Sequence, residues 1–129
     1  MTPYEIQVEF DEISGRLTLS GSQVLENNRK YEIIKPSGTQ SFRFTLSNAN
    51  WLTTPIQWID RKEKTPIARP FPGHITHESS TSFLLEAEIN SGGTVLAFPF
   101  HLMVMHNGKI YYHDPVILNE PDDDPPPQG

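Results

Sequence analysis

Met105-His106-Asn107-Gly108-Lys109-Ile110-Tyr111-Tyr112-His113-Asp114-Pro115-Val116-Ile117-Leu118-Asn119-Glu120-Pro121 decides how this chain is built. Asn107-Gly108 lies between two apolar runs and predicts a β-hairpin, because a two-residue type I′ turn needs positive φ at both central positions. Pro115 and Pro121 have no N–H to give to a ladder, so Asp114-Pro115 interrupts the returning strand and Glu120-Pro121 stops it. Tyr111 and Tyr112 are neighbours in an extended segment and must point to opposite faces, so at most one can enter a core.

Outward from this hairpin, side chains alternate with period two and no helical period is sustained. Tyr4, Ile6, Val8 and Phe10 alternate with Glu5, Gln7 and Glu9, and Leu17 and Leu19 repeat the pattern after the turn signal Ser14-Gly15. Residues 21–30 are polar and loop-like, with Val24-Leu25-Glu26 as a helical turn or a short edge piece. Tyr31–Ile34, Phe42–Leu46, Ile56–Asp60 and Ser82–Ile89 read as further strands, the last with Phe83, Leu85, Ala87 and Ile89 on one face. Residues 61–80 carry Pro66, Pro70, Pro72 and Gly73 and predict a long connection with at most one short strand. Thr94–His106 is the longest β candidate, with Pro99 predicting a bulge or an edge near its middle. Seven to nine short strands with frequent turns predict an all-β fold, an antiparallel immunoglobulin-like β-sandwich. Residues 1–121 form the sandwich domain, and the acidic, proline-rich segment 122–129 is expected to stay solvated.

Charge narrows the function. The chain of 129 residues carries a net charge of −6. Residues 1–69 hold nine of the ten basic side chains against eight acids, whereas 70–129 hold only Lys109 against eight. A duplex binder needs a concentrated basic face, and Arg61-Lys62-Glu63-Lys64 is one loop diluted by glutamate, so nucleic acid is not the expected partner. No apolar run approaches the ~18 residues of a membrane helix, so no membrane partner is expected. Zero cysteines exclude a disulfide framework and a thiolate site and are compatible with a cytoplasmic setting. No cofactor motif is present; phosphate loops and nucleophile elbows are both missing.

The Asp-Pro and Glu-Pro pairs in His113-Asp114-Pro115-Val116-Ile117-Leu118-Asn119-Glu120-Pro121 resemble the DP-EP family of small uncharacterised bacterial proteins. The resemblance covers about ten residues and implies a small bacterial protein without a transferable catalytic residue. Gly73-His74-Ile75-Thr76-His77-Glu78 is similar in composition to the first metal motif of the cupins. It departs from that motif in histidine spacing and in glycine position, which removes the family's ligand geometry.

The candidate site residues follow from chemistry. Trp51, Tyr111 and Tyr112 are aromatic faces for stacking a sugar or peptide, and Asp114 and Glu120 would supply a charged lip. His74 and His77 would converge on a metal only if their segment were helical, with His113 as a third ligand. The expected function is a non-enzymatic binding or assembly module that forms a homodimer through an edge strand. A histidine-centred, cupin-like enzyme and a carbohydrate- or peptide-binding domain are the alternatives.

Overall fold

The alternating segments become strands of two sheets in the computed structural model, which describes residues 3–21, 23–27, 30–35, 38–60, 62–89, 96–113 and 116–119. The strands are β1 (Tyr4–Phe10), β2 (Leu17–Ser20), β3 (Val24–Asn27), β4 (Lys30–Lys35), β5 (Gly38–Ser47) and β6 (Asn50–Ile59). They continue as β7 (Pro66–Ile67), β8 (Gly73–Ser79), β9 (Ser82–Ile89), β10 (Leu96–His106), β11 (Lys109–His113) and β12 (Val116–Asn119). The first sheet has the order β2-β1-β5-β9-β8; the second runs β3-β4-β12-β10-β6-β7, with β11 also paired to β10. Among the described residues no helix forms, and none is long and apolar enough to cross a membrane.

The chain passes back and forth between the sheets in hairpin-sized steps. This explains why the pairing is mostly but not wholly antiparallel. β1 lies parallel to β5 and β4 lies parallel to β12, since in both cases the chain visits the other sheet before returning. Among the described residues the twelve segments exceed the expected seven to nine. The connection expected over 61–80 contains the seven-residue β8, held against β9 by backbone pairing from Gly73↔Ala87 to Ser79↔Ser82. Its exposed side chains gave the sequence no apolar period to announce it.

Ile6, Val8, Phe10, Phe42, Phe44, Phe83 and Leu85 from the first sheet meet Ile33, Trp51, Trp58, Phe100, Leu102 and Val104 from the second in one core. Phe83 sits at its centre: it stacks on Phe44 at 4.8 Å and receives Trp51 edge-on at 4.8 Å. Two such contacts add to the burial of three large rings, which dominates the energetics of a core of this size.

The predicted type I′ turn is present, with φ of 50° at Asn107 and 77° at Gly108, closed by His106↔Lys109. Beyond it β11 and β12 pair with the same strand, β10, in its later and earlier halves. Asp114-Pro115, between them, lies outside the described residues, as do Glu120, Pro121 and segment 122–129.

Pro99 takes the edge position that was the alternative to a bulge, and the bulge forms elsewhere in the pairing, around Pro55. Pairing jumps from Leu102↔Ile56 to Val104↔Trp51, so residues 52–55 of β6 bulge against the single Met103. A buried proline without an N–H is a sufficient local reason. Pro99 itself precedes the β6 pairing, which begins at Phe100↔Trp58, and it pairs only with Val116 of β12.

Candidate interaction surface

The inward face of β10 is Phe100, Leu102 and Val104, so His101, Met103 and Met105 must face outward. The hairpin register sets Met103 beside Tyr112 and Met105 beside Ile110 on that outer face. Met105, Ile110 and Tyr112 are 41%, 54% and 63% exposed. The His101 ring lies 4.9 Å from that of Tyr112. On the neighbouring β6 the register partners Asn50 and Gln57 are uncharged. Among the described residues the result is a small apolar and aromatic patch with no carboxylate among its register partners, on a chain of net charge −6. The far edge of β11 has no strand partner among the described residues.

The outer face of the first sheet has the opposite character. Arg43 donates from Nε to Glu78 Oε1 at 2.8 Å and from Nη2 to Oε2 at 3.2 Å, and it also pairs with Glu5. Ser82 Oγ donates to Glu78 at 2.9 Å. The hydrogen bonds from Arg43, and then from Ser82, hold the Glu78 carboxyl below its ordinary range, while Glu78 and Glu5 raise the Arg43 guanidinium. A satisfied fork of this kind ties β1, β5 and β8 together.

The expected site residues do not gather in one place. Trp51 is buried, and its indole N–H donates to the Thr81 carbonyl at 3.1 Å, so it fastens the β8–β9 turn to β6 and offers no stacking face. Tyr111 is half-buried, packed 4.8 Å from Phe10 and lying over Gly15, where an added Cβ would meet its ring at 3.1 Å. Tyr112 alone of the three aromatics faces outward. Asp114 and Glu120 lie outside the described residues.

His74 and His77 stand three apart in a strand and therefore on opposite faces, which overturns the convergence that a helical segment would have given. His74 faces Glu86 at 3.4 Å. His77 donates from Nε2 to the carbonyl of Thr53 at 2.9 Å, satisfying an acceptor that the β6 bulge takes out of its ladder. His113 is placed by register opposite Leu102, in the other sheet from both. Among the described residues no group of three or more histidines and acids could hold a metal ion.

Sequence reasoning missed Met103, Met105 and Ile110. Their signal was legible in the alternation: the partners of a buried row that are themselves apolar mark a second apolar face. Comparison with known proteins finds no matching family model and no matching curated protein.

Proposed function

We propose that this protein is a non-enzymatic assembly module of bacterial type. It is built as an immunoglobulin-like sandwich, works in the cytoplasm, and joins a second copy through the outer face and free edge of β11. One observation carries this: Met105, Ile110 and Tyr112 are exposed together on a face with no carboxylate among its described register partners, beside a strand edge with no partner among the described residues. An unpaired edge is a template for another strand, and apolar side chains beside it add burial to the backbone pairing. Antiparallel pairing of two β11 strands about Tyr111 sets Ile110 of each copy beside Tyr112 of the other, which makes the contact self-complementary. The resemblance of residues 113–121 to the DP-EP proteins agrees with a small bacterial protein of this kind.

Sedimentation of the intact chain across micromolar concentrations tests it, with a reversible dimer as the expected result. Ile110→Glu with Tyr112→Glu should raise the dissociation constant at least about tenfold, since it sets like charges beside each other across the contact. A monomer at every concentration would overturn the proposal.

A further inference from the structure

The tip of the β10–β11 hairpin holds a reactive pair of residues that the outer patch does not use. Asn107 is exposed, and its φ of 50° places a residue with a side chain in the left-handed region. Gly108 follows with φ of 77° and open space where a Cβ would stand. The ladder closes across the turn at His106↔Lys109, and the Gly108 N–H makes no hydrogen bond among the described residues. Asn107 Nδ2 lies 3.2 Å from His106 Nε2. Glu12 Oε1 stands 3.8 Å from the same ring nitrogen, and the Phe10 ring packs 4.9 Å from the imidazole. His106, Asn107 and Gly108 line a cleft of about 380 Å³ shared with Asn48 and Asn50 of the β5–β6 turn.

We infer that Asn107 is a self-modification site, where the side-chain amide is converted to a carboxylate by the chain's own atoms and water, with His106 as proton donor. The Gly108 nitrogen attacks the Asn107 Cγ and gives its proton to solvent. The imidazolium of His106, beside Glu12, protonates the amide nitrogen; the Cγ–Nδ2 bond breaks, ammonia leaves, and His106 regains a proton from water. The product is a cyclic imide. Water then adds to one of its two carbonyl carbons, the bond from that carbon to the Gly108 nitrogen breaks, and the nitrogen takes a proton back. Opening at Cγ leaves an aspartate with the ordinary backbone; opening at the main-chain carbon leaves an isoaspartate. One water is consumed and one ammonia released, with no change of oxidation state. Asparagine is a thermolabile side chain, and attack on it is least hindered where the next residue has no Cβ. The turn must open to bring nitrogen and Cγ together. Leaving a positive φ releases strain, and an exposed hairpin tip opens at low cost.

The other two asparagines of the cleft each lack a requirement. Asn48 also has a positive φ, 71°, but Ala49 follows it, and its Nδ2 donates to the Phe10 carbonyl at 3.4 Å. Asn50 precedes Trp51, whose backbone N–H donates to the Ser80 carbonyl at 2.9 Å. The reaction at Asn107 is intramolecular, so it proceeds whether or not two copies pair through β11. Its product sets a new carboxylate near Glu12, at the tip of the hairpin that presents Met105 and Ile110.

Incubation of the full-length chain at neutral pH, followed by peptide mass spectrometry and NMR, tests this. The expected result is the amide-to-acid mass gain on the peptide that contains Asn107, as a mixture of aspartate and isoaspartate. The Asn107 side-chain amide resonances should fade in step, while Asn48 and Asn50 stay intact. Gly108→Ala should slow the conversion about tenfold or more, since its methyl group crowds the attacking nitrogen. His106→Gln should slow it about threefold or more by removing the proton donor. Glu12→Gln, which leaves the ring in place, should act in the same direction. Conversion that is absent at Asn107, or equally fast at Asn48 and Asn50, overturns the site. An undiminished rate in both His106→Gln and Glu12→Gln overturns the part given to His106.

Discussion

Gly73 shows how much one residue can be fixed by its surroundings. Its φ is +154°, and a Cβ built there would lie 2.0 Å from the Glu86 carbonyl oxygen, so any side chain must push β8 away from β9. Gly73→Ala should cost about 2 kcal/mol or more, measured as a fall in the urea midpoint with an unchanged slope. Glu78 makes a different kind of prediction. Its carboxyl is held low in the folded state by Arg43 and Ser82, so its contribution to stability is present above the ordinary carboxylate pKa. That contribution fades as pH falls through the depressed folded value. Arg43→Gln should return the Glu78 titration toward the usual range, followed through its side-chain carboxyl carbon by NMR, and should flatten the acid limb of the stability curve. Both groups are solvent-exposed, so the change in stability at neutral pH should be small.

At the scale of elements, the β10–β11 hairpin carries two separate assignments on its two faces. Inward, Val104 and Tyr111 hold it to Phe10 and the core; outward, Met103, Met105, Ile110 and Tyr112 form the patch. Gly108 sustains φ of 77° with open space around it, so Gly108→Ala should cost only about 1 kcal/mol, the conformational strain alone. Thermal melting checks the size of that effect, and it should leave the proposed assembly through the outer face intact. β8 was hidden in the sequence because its seven residues are mostly exposed and carry two histidines, a threonine, a glutamate and a serine. Its strand character comes from the ladder that β9 offers it, which no local preference reveals. The Asn107-Gly108 turn, in contrast, was legible from two residues, because few dipeptides tolerate positive φ twice.

At the scale of the whole molecule, Phe83 joins the sheets. It is fully buried, stacked on Phe44 within its own sheet and met edge-on by Trp51 from the other. Phe83→Ala should destabilise by about 3–5 kcal/mol, since it removes both ring contacts and leaves a cavity that neighbouring strands cannot close. Denaturant unfolding measures this, and Trp51 fluorescence should report the same transition. Trp51 and His77 add fastening at one end of the sandwich, Trp51 donating across the gap to the Thr81 carbonyl, which also accepts from the Leu46 N–H, and His77 to the Thr53 carbonyl at the bulge.

The alternation of Tyr4–Phe10, Phe42–Leu46 and Ser82–Ala87 determined by itself which residues face the core, because in an extended chain that choice depends only on odd or even position. Charge placement likewise marked 61–64 as basic and 122–124 as acidic from the sequence alone. Only the tertiary structure decided which strands share a sheet, that β1 meets β5 and β4 meets β12 in parallel, and that Trp51 is an anchor while Tyr112 faces water. Those outcomes rest on packing between segments far apart in the chain. A strand has the same local pattern whichever neighbour completes its hydrogen bonds.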